Sequence, residues 1–482
     1  MKQLNSLKVW LSVVLLLCFS LSGQAQFLRT SYFMEGSNQR MQLNPALMPG
    51  RGYLNIPVIG SLNATVNSSS LGYRDIMDII ENSDDSDYFM SNDFMNRLDA
   101  TNNLNVNLST DILSAGWYKG KNFWSVNVGM RNDIGAAIPK TMFQFMNNMS
   151  SREFGDNISD YLGINETING QKLEINSYAE VGLGFARNIT DRLAVGGKVK
   201  MLLGIGNLKL NINQIHVETP SVGSSGVTSK ASIQVDATLE NSSKLLELPE
   251  NENGDYIDEI DFGSFGFAGY GGAIDLGVSY KLLDKLTLSA SVLDLGFIKW
   301  SKSNTSIARA NAEQTYDLLD PASQQEFMNI VNSGEILNYD MLQLKTEEAS
   351  EKSRTRGLTS TMVLGAEYAS RTRGLTSTMV LGAEYALLND WLVVGALYTG
   401  RFAKPKTLNE LTFSACIRPT NAFNVAASYS VLQGAGKTFG LALKLGPFFA
   451  GTDYMFFGKN TKNVNAYLGG SIPLGKQKTA EN

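Results

Sequence analysis

The sequence predicts an all-β fold, a transmembrane up-and-down antiparallel β-barrel of about fourteen strands, with a plug-like N-terminal segment and short helices in its loops. Three observations lead there. First, long stretches alternate with period two, most clearly in Leu173–Leu203. There Leu173, Ile175, Ala179, Val181, Leu183 and Phe185 alternate with Glu174, Asn176, Tyr178, Glu180, Gly182 and Gly184. Second, a secretory leader opens the chain. Third, no apolar run after residue 25 is long enough for a membrane helix, so any membrane is crossed with strands. The alternation alone suits a soluble sandwich equally well; the leader favours the barrel.

The leader is read from Lys2 and Lys8, the apolar run Val9–Phe19 and the small-residue site Gly23-Gln24-Ala25. Residues 1–25 are expected to be removed. Cys18 is preceded by Leu16-Leu17 and not by a lipobox, so lipidation is not expected. The mature chain keeps only Cys416, which leaves no intrachain disulfide. Losing Lys2 and Lys8 moves the formal charge from −5 to −7, a mild acidity that argues against nucleic acid. Charged residues make up only 18%, below the roughly 25% of soluble domains, while glycine at 45 residues and aromatics at 10% suit many strands and tight turns.

Segment 26–51 should fold into or beneath the lumen, because Asn44-Pro45-Ala46 and Pro49-Gly50 interrupt helix and ladder alike. The barrel is expected over 52–476, with 477–482 a polar tail. Tyr53–Leu71 gives one or two strands broken at Gly60, and Asp75–Asp99 a helical connection. Leu104, Val106 and Leu108 then alternate with Asn105, Asn107 and Ser109, and the phase slips near Leu113, which predicts a bulge. Trp117, Tyr118, Phe123 and Trp124 cluster at the next turn, as an interfacial aromatic girdle would. Lys140–Ser159 is polar and partly helical. After the hairpin, Leu208–Ile212 can extend its second arm, and Ile233, Val235, Ala237 and Leu239 alternate. Glu247–Ile260 is an acidic loop. Ile274–Tyr280 pairs with Leu286–Val292. Ser301–Lys352 is the longest interruption, with helices expected at Ala308–Leu319 and Ser323–Val331.

The last hundred residues alternate most regularly, from Leu392–Tyr398 to Val464–Ile472, joined by short turns. Just before them, SRTRGLTSTMVLGAEYA occurs twice in tandem, as Ser353–Ala369 and Ser370–Ala386. One added strand would make the count odd, whereas bacterial single-chain barrels are even-stranded. One copy is therefore expected in the wall. Copy two leads directly into the turn Leu387–Asp390, so it should be the stave and copy one part of the preceding loop.

Catalysis is not expected. His216 is the only histidine, with Glu218 the one acid beside it, and no G-x-S-x-G elbow or metal-ligand spacing is present. The charges on the polar face of the strands are more informative. Pairing sums of 378 or 380 for the Leu173–Leu203 hairpin put Glu180 opposite Lys198 or Lys200, and the next hairpin puts Asp275 opposite Ser291. Glu180, Lys198, Lys200 and Asp275 are thus the expected lumen-facing residues, set against ordinary solvated cross-strand pairing as the alternative. Asn44, Pro45 and Ala46 are the expected plug turn.

Asn44-Pro45-Ala46 before Gly52–Gly60, the Ile138-Pro139-Lys140 segment, Tyr178–Gly206 and Ala273–Trp300 together resemble an uncharacterised outer-membrane β-barrel family common in Bacteroidetes. Asp275 with Asp294-Leu295-Gly296 is the most specific part. More distantly, the Asn-Pro-Ala turn is similar to that of long-chain fatty-acid transporter barrels, which have fourteen strands and an N-terminal plug. The resemblance implies the outer membrane of a Gram-negative bacterium, with membrane lipid as neighbour. The expected role is binding or passing a small hydrophobic molecule, without a cofactor. The alternative is a non-transporting surface scaffold, or a partner of secretion or gliding machinery, engaged through loop 301–352.

Overall fold

Fourteen antiparallel staves close on themselves into a barrel. The computed structural model describes residues 29–34, 37–55, 60–72, 74–75, 91–150, 157–221, 230–250, 254, 256–257, 261–332, 342–347, 354–357, 377–388, 390–402, 408–420, 422–432, 438–455 and 462–475. The expected leader, the polar tail and most of the expected helix Asp75–Asp99 lie outside them; what is described of that helix is α3 (Asn92–Arg97), capped by Ser91 on the Phe94 amide at 3.2 Å. Two one-turn helices, α1 (Arg29–Tyr32) and α2 (Arg40–Leu43), precede the wall.

Strands β1 (Gly52–Asn55) and β2 (Ser61–Ser68) form one stave, paired on one side with β3 (Thr101–Lys119) and on the other with the last strand. The wall continues through β4 (Asn122–Pro139), β5 (Asn165–Asn188) and β6 (Leu193–Glu218), with helix α4 (Lys140–Ser150) between β4 and β5. The ladder between β3 and β4 shifts register between Asp111 and Leu113, at the predicted bulge. Strand β7 (Lys230–Ser243) leaves the wall, followed by the short pair β8 (Leu246–Glu247) and β9 (Asp261–Phe262). β10 (Gly269–Leu283) and β11 (Leu286–Trp300) rejoin it.

Ala308–Leu319 is not the helix its composition suggests. β12 (Thr305–Asp317) pairs along its whole length with β7. Alanine and glutamine are good helix formers, but intrinsic propensity is a weak determinant, and the edge of β7 supplies a ladder that overrides it. Helix α5 (Pro321–Asn332) does form, with Asp320 accepting from the Ser323 amide at 2.9 Å and Pro321 at its first turn. Beyond Gly206, β6 pairs with β7 and no longer with β10. The far ends of β5 and β6 thus continue into a lobe outside the wall, finished by β13 (Lys345–Thr346) on β12. The lobe has its own core, in which Ile215, Ile233, Val235 and Ala310 pack with Tyr161 and Phe327.

After β14 (Arg354–Gly357), the wall runs through β15 (Ser377–Leu387), β16 (Leu392–Phe402), β17 (Leu408–Thr420), β18 (Phe423–Leu432), β19 (Thr438–Leu445), β20 (Phe448–Met455) and β21 (Asn463–Leu474). β15 belongs to the second tandem copy. The first supplies β14, which pairs with the end of β11; its Met362–Tyr368 lies outside the described residues.

The alternation sorts cleanly between two sides. On β19, Phe439, Leu441, Leu443 and Leu445 are exposed while Thr438, Gly440, Ala442 and Lys444 are buried. A band of exposed Leu, Val and Phe around a polar interior is the surface of a membrane-spanning barrel. Among the described residues no helix is long and apolar enough to cross a membrane. The aromatic cluster divides between the sides. Trp117 and Trp124 pair on the outer face, but Phe123 points inward and packs on Tyr53 and Tyr118 at 6.3 and 4.7 Å. Alternation requires that split, since Phe123 and Trp124 are consecutive.

Because the two tandem copies are identical, excising seventeen residues from either leaves the same chain. That chain should still form a fourteen-stave barrel, with unchanged heat-modifiable migration on a gel; loss of the folded band would mean that both copies are staves.

Candidate functional site

The lumen contains the chain's own N-terminal segment, and the wall grips it from many sides. Thr30 donates its amide and its hydroxyl to Asp453 of β20, at 2.8 and 2.6 Å, and its hydroxyl oxygen lies 2.7 Å from that of Ser428 on β18. Arg29 pairs with Glu410 of β17, and Arg40 makes a forked pair with Glu384 of β15 at 2.7 and 2.8 Å. The guanidinium of Arg40 also lies over the Tyr32 ring, whose hydroxyl bonds Ser289 of β11. Gln42 donates to Asp111 of β3 at 2.7 Å. Each of these ties involves a side chain; none is a strand pairing.

The predicted turn is central to this grip. The Asn44 amide donates to the carbonyls of Val278 and Ala290 at 3.1 and 3.2 Å, while its oxygen accepts from the Ala46 amide at 2.9 Å. Ser291 donates to the Leu43 carbonyl at 2.5 Å. Pro45 sits where the wall has no side chains. A Cβ on Gly277 would lie 2.8 Å from Pro45 Cδ, and one on Gly196 only 2.7 Å from the Ala46 nitrogen. The two glycines leave a notch shaped to the turn.

The other predicted residues lie beside this seat. Glu180 is fully buried, accepting from Asn127 at 2.8 Å and from Arg131 at 3.2 Å, with the Lys198 ammonium 3.6 Å away. Lys200 lies between two carboxylates, 2.7 Å from Asp275 and 2.6 Å from Asp294. Partners at this distance counter part of the desolvation of these buried charges, and each charge depends on its partner's staying in place. The face assignment matches the alternation, with Val181, Leu183, Val199 and Met201 exposed on the outside.

The register differs from expectation in two places. Glu180 stands opposite Leu202, and Gly182 opposite Lys200, a pairing sum of 382 and not 378 or 380. The turn is longer than assumed, because the Thr190 hydroxyl accepts from the Arg192 and Leu193 amides and holds the chain open. Asp275 does not face Ser291, which pairs with Gly277. A bulge sets Leu293 and Asp294 against Asp275 alone, with Asp294 in the left-handed region at φ 58° and its amide donating to Asp275 at 2.8 Å. This bulge brings Asp294 to Lys200.

His216 lies elsewhere, on the lobe. Its Nδ1 is 2.9 Å from the Thr167 hydroxyl and 3.2 Å from the Glu166 carbonyl, and Nε2 is 3.6 Å from Glu218. The Thr167 and Glu166 contacts both fall on Nδ1, and the tautomer decides whether it donates to the Glu166 carbonyl or accepts from the Thr167 hydroxyl. Among the described residues no group of His, Cys, Asp and Glu is arranged to hold a metal ion.

Sequence reasoning missed Glu384, Glu410 and Asp453, although each occupies a polar-face position and could have been found as an inward charge. Arg29 and Arg40 carry no such signal, since their segment has no periodicity.

A closed antiparallel barrel with an apolar exterior and a polar interior is an outer-membrane-type β-barrel. The chain belongs to the family of unknown function DUF5723, whose model matches residues 45–453. No curated protein matches it. Among solved structures it is similar to the toluene transporter TodX of P. putida (10% identity, TM-score 0.39, covering 90% of this chain and 93% of that one). It is also similar to the toluene transporter TbuX of Ralstonia pickettii (10%, 0.43, 95% and 100%) and to the translocator domain of the autotransporter NalP from Neisseria meningitidis (8%, 0.32, 88% and 88%). At such low identity the likeness assigns no ligand to this chain.

Two substitutions probe the site. Lys200→Met leaves Asp275 and Asp294 buried without their cation and should destabilise the barrel by about 3–5 kcal/mol in denaturant unfolding. Gly277→Val should instead unseat the turn while sparing the wall, so that trypsin cuts after Arg40 roughly tenfold faster with heat-modifiability unchanged.

Proposed function

We propose that the protein passes a small hydrophobic molecule across the outer membrane of a Gram-negative bacterium, with segment 29–49 as a removable obstruction. One observation carries this reading: the ladder closes from β21 to the β1–β2 stave without help from the segment. The ties that hold the segment in the lumen run through side chains, so it can leave without opening a strand edge. The inner wall that it would expose is rich in Ser, Thr, Gly and Asn, as a wet channel requires. In this reading His216 has no catalytic part.

A non-transporting scaffold remains the second reading, because the 301–352 region builds a separately cored lobe outside the wall. Recovery of a stable protein partner with the lobe from intact membranes would favour it.

The test is a lock. Thr30→Cys with Ser428→Cys replaces two hydroxyl groups 2.7 Å apart and should staple the segment to β18. In Gram-negative cells making the full chain, uptake of labelled toluene should fall to the level of cells without the protein, and reduction with dithiothreitol should restore it. Undiminished uptake through the oxidised protein would sink the proposal.

A further inference from the structure

The outer face of β3 to β6 is layered near its short turns. Barrels of this type direct their short turns to the periplasm, so the turns after Lys119 and Asn188 lie on that side. Nearest them, Lys119 stands opposite Asn122, and Asn122 opposite Arg187. One row further in, Trp117, Trp124 and Phe185 stand side by side, the last two rings 4.9 Å apart. Beyond these rings opens a groove of about 320 Å³, lined by Val126, Val128, Val181 and Leu183 and flanked by Leu113 and Met201. Successive rows are two residues apart on each strand, so all of them share the outer face. Lys119, Lys121 and Arg187 are exposed, and among the described residues none of the three is in an ion pair, in a chain of net charge −5. Arg192, in the same turn as Asp191, is instead paired with Asp284 at 3.2 Å.

We infer that this face binds one anionic phospholipid of the periplasmic leaflet. Its phosphate meets Lys119, Lys121 and Arg187, its glycerol backbone lies against the shelf of Trp117, Trp124 and Phe185, and an acyl chain runs in the groove. The rows follow the order of the lipid's own parts. Aromatic rings settle at the boundary between headgroup and hydrocarbon, and long basic side chains reach from there into the headgroups. A cation beside an anionic membrane surface strengthens attraction roughly fivefold, so three of them favour a net negative headgroup over a zwitterionic one. In a wall surrounded by hydrocarbon, the groove gives a chain more close contacts than the flat wall beside it. Cations and groove together therefore hold one lipid in one place.

Native mass spectrometry of the full chain, released from nanodiscs of equal parts phosphatidylglycerol and phosphatidylcholine, tests the site. The protein should retain one phosphatidylglycerol, in roughly tenfold preference to phosphatidylcholine. Lys119→Ala with Lys121→Ala and Arg187→Ala should abolish the preference and leave heat-modifiable migration unchanged, since all three side chains are exposed. Val181→Trp, which fills the groove and keeps the cations, should lose the retained lipid. Lys281→Ala with Lys285→Ala, on another turn of the same rim, should change nothing. Equal retention of the two lipids, or retention untouched by the triple variant, would overturn the site. So would equal loss in the Lys281, Lys285 variant, which would mean diffuse attraction by the whole rim. Displacement of the lipid by free glycerophosphate would also overturn it, since the cations would then serve a soluble phosphate. If the triple variant does not fold, Val181→Trp decides alone, and undiminished retention there sinks the proposal.

Discussion

Closure of the hydrogen-bonded ladder between β21 and the split β1–β2 stave is the interaction on which everything else here depends. It leaves the wall without an edge, so backbone groups are satisfied where no water reaches them. It also creates an inside. Once the sheet is closed, period-two alternation becomes a division between lipid and lumen, and each inward residue must share a confined space with the N-terminal segment. The seat at Gly196 and Gly277, the forked Arg40–Glu384 pair and the Asp453 anchor are consequences of that confinement.

The lumen is not uniform. On β4, β5, β6, β10 and β11 it carries a web of paired charges centred on Glu180 and Lys200. On β15 to β21 it carries buried apolar side chains, from Val380 to Tyr467, that cluster with Tyr32, Phe33 and Met34. One short segment spans both, placing Asn44 and Pro45 near the first and Phe33 in the second. Such a segment is tuned twice, by polar geometry at one end and by shape at the other.

Much of this was legible beforehand. The outward sets on β5, β6 and β19 follow from alternation alone, and the bulge near Leu113 from a single slip of phase. What escaped had a physical cause in each case. The hairpin register depended on how the Thr190 hydroxyl holds its turn, which periodicity does not encode. The Asp275 partner depended on a left-handed backbone at Asp294, a conformation that leaves alternation on either side intact. β12 took its form from the free edge of β7, a tertiary cause. Arg29 and Arg40 sit in a segment without repeating structure, so only three-dimensional placement reveals their partners.

The tandem copy sets the folding chain a choice between two identical candidates for one stave. Threading copy two into the wall adds its twin to a connection already some fifty residues long, a change that loop-closure entropy scarcely registers. Threading copy one would instead stretch the four-residue turn between Leu387 and Leu392 by seventeen, at a cost of about 1.5 kcal/mol. Side-chain chemistry is silent here, since the strings are the same. Polymer statistics alone can break the tie, and such a small bias implies a kinetic competitor during assembly, with the wrong copy docked on β11 and a surplus loop on the opposite rim.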